Sequence, residues 1–256
     1  MQAARLPMTY GWAWLLQGWA LFKRQPMAML FWSLMTSLLI NINYLIPILG
    51  QVALIVATPT LGFIALNACL QIERNQTMQL GMWLAPLKNP DVKKAMLRLG
   101  FAYFVCCLVA GFLAVLPFSN SIMTAMSGDE LNPAEVMNAV RAPFFLFGFF
   151  YLGISILFWH APALMGWHQI PLKKALFYSM VACWRNKGAF VVFGVCWAVI
   201  YIALQFVADA LVSLLGAALV HFLLTPLNLL MMAVLYSSFY SIYRSVFGQN
   251  NANAKV

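Results

Sequence analysis

Charge is what this chain of 256 residues has least of: only 8% of its positions are Asp, Glu, Lys or Arg, and six residues are acidic. Soluble domains carry about 25% charged residues, and here 64% of the chain is hydrophobic, so a water-soluble globule is excluded. Five cysteines in 256 residues exclude a disulfide-stapled secreted domain, and the high hydrophobicity excludes a disordered tail. Catalytic signatures are missing as well. The chain has no GxxxxGK phosphate loop, no HExxH, no GxSxG and no CxxC. Histidine is scarce at three residues, His160, His168 and His221, too few and too poorly spaced for a metal site. No cofactor is expected. No basic run exceeds two residues, which leaves no stripe for tracking nucleic-acid phosphates despite a net charge of +9.

What is abundant is long apolar segments. Six are long enough to cross a hydrocarbon core about 30 Å thick: residues 26–45, 48–72, 95–116, 143–165, 189–207 and 214–247. The expected fold is all-α, a single polytopic membrane domain of six transmembrane helices. Pro26 suits the first turn of the first span. Ile46-Pro47 gives so short a turn that spans one and two form a hairpin. At 1.5 Å per residue the sixth span is roughly 50 Å long, so it projects, tilts or kinks at Pro226.

Residues 6–22, with Trp12, Trp14 and Trp19, precede the first span. No small-x-small cleavage site follows, so this stretch reads as retained rather than as a signal peptide. Thr9, Ala13, Gln17, Ala20 and Arg24 form a small or polar stripe at helical spacing. This favours a helix in the membrane interface with its tryptophans at headgroup depth. The alternative, a true span, would leave no room before the next segment.

Of the 15 Lys and Arg residues, only Arg141 falls between spans three and four or on any other loop of that side. The rest share the opposite side, and the positive-inside rule places both termini in the cytoplasm. In the outer loop 118–142, Asn132-Pro133-Ala134-Glu135 carries an N-cap, a first-turn proline and an acid, and predicts a short surface helix.

The sequence repeats loosely. Leu21-Phe22-Lys23-Arg24-Gln25-Pro26 returns as Cys183-Trp184-Arg185-Asn186-Lys187-Gly188, and Leu49-Gly50 with Thr58-Pro59 returns as Leu215-Gly216 with Thr225-Pro226. A weaker third copy has Leu87-Lys88-Asn89-Pro90 and Ala161-Pro162-Ala163-Leu164. Units of about 8–74, 78–167 and 168–247 are expected, each an interfacial amphipathic helix followed by a two-span hairpin. With an even number of spans per unit, the repeats are parallel about the membrane normal.

The segment Pro171 to Asn186, taken with Gly11-Trp12-x-Trp14, Leu21 to Pro26 and Ala161-Pro162-Ala163-Leu164, resembles the YciC-like family of uncharacterised six-span bacterial inner-membrane proteins. The resemblance implies a multi-pass protein of the bacterial cytoplasmic membrane and carries no activity with it. Gly188 departs from the family, in which a proline commonly follows the Arg-Asn pair.

Mid-span polar residues are few: Asn41, Asn43, Asn67, Gln205, His221 and Asn228. They read as hydrogen-bonding groups between helices, since coupled transport needs mid-membrane ionisable groups, of which the spans contain essentially none. Thr58-Pro59, Pro162 and Thr225-Pro226 are candidate kinks, with the threonine hydroxyls helping to satisfy carbonyls freed by proline. The cysteines read as packing residues, Cys183 being the most interfacial. Two basic clusters beside aromatics, Lys23 and Arg24 after Phe22, and Lys173, Lys174, Arg185 and Lys187 around Trp184, are candidate anionic-lipid contacts. The expected function is a non-enzymatic accessory or scaffold that interacts with lipids, a membrane-protein partner or its own copies. The alternative is a transporter or channel for a small neutral or amphipathic solute.

Overall fold

A computed structural model describes residues 3–127 and 133–248; the side chains of 215, 217 and 221 also lie outside the description. Among the described residues every regular element is a helix. In chain order these are α1 (Tyr10–Phe22), α2 (Pro26–Tyr44), α3 (Leu49–Glu73), α4 (Leu80–Trp83), α5 (Pro90–Val115), α6 (Ser119–Met126), α7 (Pro133–Phe158), α8 (Ala161–His168), α9 (Leu172–Arg185), α10 (Lys187–Leu215) and α11 (Ala217–Phe247). Six stretches, α2, α3, α5–α6, α7–α8, α10 and α11, are long and apolar enough to cross a membrane.

Local chemistry sets several boundaries. Pro26 opens α2 as expected. Helix α5 starts five residues before the expected span because Asn89 caps it, its side chain accepting from Asp91 N at 2.9 Å, and Pro90 fills the first position. The expected short surface helix after Asn132 is instead the opening of α7, which runs through Pro143 into the fourth span without a break. Leu131 and Asn132 themselves lie outside the described residues.

The expected fourth span, 143–165, is two helices. The chain breaks at Trp159-His160, and Pro162 sits in the first turn of α8 rather than kinking a continuous helix. A neighbouring helix makes this break. Ser179 of α9 accepts from His160 N and donates to Ile156 O, each at 3.0 Å, satisfying backbone groups that an unbroken helix would have paired.

Helix α1 lies against α10 and α11, so the first helix closes on the last two. Its inner face is Gly11, Trp14, Gly18, Leu21 and Phe22. A methyl group at Gly11 would stand 2.4 Å from Ala189 O, and one at Gly18 2.7 Å from Ser238 N, so both glycines permit backbone-to-backbone contact. Between them Trp14 is fully buried, 5.2 Å from the Phe190 ring and 6.2 Å from Phe193. This corrects the expectation that all three tryptophans lie at headgroup depth: Trp12 and Trp19 are exposed, and Trp14 belongs to the core. The stripe Thr9, Gln17, Ala20 and Arg24 faces outward.

Helix α4 packs on α3, its Trp83 stacked 5.0 Å from Trp32 of α2, and α9 packs on α7 and α8. On α11, Ala233, Ser237 and Ser241 are buried, and Ser237, Ser241 and Ser245 each donate to the carbonyl four residues earlier. Their hydroxyls are thus satisfied within the helix, and the row presents a small surface to its neighbours.

Candidate functional site

The basic residues gather at one end of the bundle, where the N-terminal segment is tied down. Ala4 N donates to Val246 O at 2.9 Å. Asn186, 1% exposed between α9 and α10, accepts from Leu6 N at 2.8 Å and donates to Ala4 O and Ala182 O, both at 2.9 Å. One buried carboxamide therefore supplies both partners of an extended strap formed by residues 3–8. Both of its amide hydrogens are thereby spent and its oxygen is turned to the strap rather than to α10, whose first turn carries no side-chain cap.

The strap brings Arg5 to Arg185 and Lys187. Together with Met8, Gly188 and Val191 these residues line a groove of about 740 Å³ that, among the described residues, no acidic side chain enters. The Met8 side chain lies directly over Gly188, and since Met8 is exposed it would have to swing aside to admit a side chain there. The absent proline does not blur the start of α10, which begins at Lys187. The Lys187 ammonium lies 4.8 Å from the centre of the exposed Trp184 ring, close enough for a cation–π contact.

Other candidates sit apart from this groove. Lys173 and Lys174 are exposed at the start of α9, about 18 Å of helix away from Arg185. Lys23 lies 5.9 Å from Trp19, while Phe22 is buried, so the aromatic beside this cation is one turn back from the expected one. The Arg24 guanidinium donates to Glu73 O at 3.4 Å. The Glu73 carboxylate is ion-paired with Arg244 and accepts from the Tyr240 hydroxyl. Sequence reasoning missed Arg5 and Asn186, since their roles depend on a contact between residues 180 positions apart.

Thr58 and Pro59 lie inside α3, and the Thr58 hydroxyl donates to Leu54 O at 2.9 Å, not to the Ile55 carbonyl that Pro59 frees. Pro59 is buried and Pro226, inside α11, is exposed. Asn41 and Asn43 donate to carbonyls of their own helix, Ser37 O and Leu39 O, rather than across helices. Asn67 reaches across and accepts from Trp167 Nε1 at 3.5 Å. Gln205 and Asn228 are exposed, and Asn228 lines a cavity between α10 and α11 with Trp197, Tyr201 and Met232. The His221 side chain lies outside the described residues. His160 is enclosed by Phe190, Tyr243 and Phe247, and its Nε2 has no hydrogen-bond partner among the described residues.

Burial pushes the Cys183 thiol up to about 12, against a smaller opposing effect of its hydrogen bond with Ser179, so at neutral pH it is a protonated, inert group. Among the described residues no three His, Cys, Asp or Glu side chains converge as metal ligands.

A second cavity, of about 390 Å³, lies between α3, α5 and α8 and is lined by four carboxamides, Asn67, Gln71, Gln76 and Asn89, with Phe63 and Trp167.

Along nearly its whole length the chain is similar to a curated protein of Burkholderia thailandensis described as a "probable inner membrane protein". The two are 30% identical over 268 aligned residues, covering 99% of this chain and 97% of that protein. The chain belongs to the same family. With its six candidate spans it is a multi-pass inner-membrane protein. No family model matches the chain, and no solved structure matches it.

Proposed function

We propose that this is a non-enzymatic accessory or scaffold protein of the bacterial inner membrane, one that works by binding lipid and neighbouring envelope proteins, and that its family is the YciC-like one. The observation that carries the reading is where the polar groups go. Hydroxyls and amides within the spans, at Ser33, Thr36, Asn41, Thr58 and Ser237 among others, are spent on carbonyls of their own helices. The cations collect at one end of the bundle. A proton- or ion-coupled carrier needs ionisable side chains along a mid-membrane path; a binding protein needs a built interface, and the basic end provides one.

The hydrogen bond between Ala4 and Val246 supports a common side for the strap and the end of α11, and the excess of basic residues supports that side being the cytoplasmic one. Thiol labelling of single cysteines at Ser127 and Ser245 should give outside and inside respectively. The three short helices α1, α4 and α9, each preceding a pair of spans, support the three-unit repeat.

Crosslinking in intact cells followed by mass spectrometry tests the scaffold reading. A recurrent stoichiometric membrane-protein partner, or a crosslinked homo-oligomer, is expected; recovery of the uncrosslinked monomer alone would count against it. A channel or transporter for a small neutral solute is the second reading, favoured by the uncharged, carboxamide-lined cavity. Saturable solute flux into proteoliposomes, abolished by Asn67→Leu, would replace the first reading with this one.

A further inference from the structure

We propose that the groove between the N-terminal strap and the start of α10 is a binding site for one anionic glycerophospholipid of the cytoplasmic leaflet, its phosphate held by Arg5, Arg185 and Lys187. The proposal rests on the lipid-binding part of the reading above and narrows it to one site and one class of ligand. Three exposed cations share this groove with no carboxylate among the described residues of its lining, an arrangement that repels itself unless an anion enters. The chain nevertheless holds them together, using a buried asparagine to fix the strap that carries Arg5.

Two features point to a lipid rather than a free phosphate. The wall behind the cations is apolar, built from Met8, Val191 and Val192, and Val191 is 64% exposed. From it an outward-facing row of Val195, Val199 and Phe206 continues along α10, giving an acyl chain a surface that starts at the headgroup position. Trp184, exposed and beside Lys187, lies at the boundary where interfacial tryptophans sit. Guanidinium groups are suited to phosphate through paired N–H donors, and each cation near a charged leaflet strengthens binding about fivefold.

The full-length protein, purified in mild detergent with defined additions of phosphatidylglycerol or phosphatidylethanolamine, tests this by native mass spectrometry. Wild type should retain one phosphatidylglycerol in preference to phosphatidylethanolamine. Arg5→Gln should reduce retention about fivefold, and Arg5→Gln/Arg185→Gln/Lys187→Gln about a hundredfold. Lys173→Gln/Lys174→Gln, at the far end of α9, should leave retention within twofold. Asn186→Ala keeps every charge but removes the strap's bonds at Leu6 N and Ala4 O, leaving that of Ala4 N to Val246 O, and it should reduce retention by more than twofold but no more than Arg5→Gln does. Thermal unfolding followed by tryptophan emission confirms that each variant is folded, and Arg5→Gln, at an exposed position, keeps the test usable if Asn186→Ala is unstable.

Equal losses in the α9 pair and the groove variants would overturn this site while leaving general lipid binding intact. Wild type with no preference for phosphatidylglycerol would overturn the site and the lipid-binding reading together. If inorganic phosphate displaced phosphatidylglycerol and alone stabilised the protein as strongly, the groove would be an anion site without a lipid component, and the proposal would fall.

Discussion

Replacing Gly18 with alanine adds a single methyl group where α1 meets α11. That methyl would stand 2.1 Å from Ser238 Oγ, 2.7 Å from Ser238 N and 2.8 Å from Ser238 Cα. The hydroxyl can rotate away, but the backbone of α11 cannot yield without the two helices separating. Overpacking of this kind costs about 1–3 kcal/mol, while exchanging glycine for alanine inside a helix returns about 1 kcal/mol. Gly194, inside α10 with nothing within 4 Å of the same position, isolates the second effect. The expected result is that Gly194→Ala is neutral or stabilising and that Gly18→Ala lies about 1–3 kcal/mol below it. Denaturation in detergent followed by tryptophan emission is a suitable assay, because buried Trp14 reports on the same interface. Adding Ser238→Ala to Gly18→Ala should recover only part of the loss, since the backbone of residue 238 still blocks the methyl. Equal stabilities for Gly18→Ala and Gly194→Ala, or complete recovery in the double variant, would refute a backbone-to-backbone seat for α1.

Ser237→Leu should lower thermal stability by at least about 1 kcal/mol, because the position is fully buried in the small-residue row of α11; unchanged stability would mean the row faces lipid. Arg244→Gln should cost less than about 1 kcal/mol, and the difference should shrink in high salt, as expected for an ion pair whose cation is 63% exposed. With its folded-state value raised to about 12 by burial, Cys183 should show none of the usual rise in maleimide labelling as pH passes 8.5. Full labelling should require detergent unfolding, read as a mass shift after quenching.

The six spans were legible because a hydrophobic run of that length has few other uses, and the start of α2 was marked by Pro26, whereas the start of α5 at Pro90 was placed five residues too late. The break at Trp159-His160 was legible only in part, from Pro162 as a candidate kink one turn or less away. Neither residue is a helix breaker, and the hydroxyl that stabilises the gap comes from Ser179 on another helix. On α1, the polar stripe was readable as the outward face, yet the seven-residue spacing of Gly11 and Gly18 around Trp14 held the more informative signal. Small residues flanking one large one on a helix mark a seat for another backbone. In the basic groove, Arg185 and Lys187 could be named from their spacing and Trp184. Arg5 could not, because its position follows from the carboxamide of Asn186, and Lys173 and Lys174 were grouped with the others by sequence although a helix separates them.

The docking of α1 on α10 and α11 sets an order of events during synthesis. Helix α1 leaves the ribosome well before the two helices on which it seats, and at about 5–20 residues per second the wait between them is roughly ten to fifty seconds. During that interval the face carrying Gly11, Trp14 and Gly18 has no partner from its own chain and is open to any membrane chaperone or insertase that recognises a bare helix. A message truncated after α9 consequently yields an assembly in which the Gly11, Trp14 and Gly18 face of α1 lacks its seat on α10 and α11.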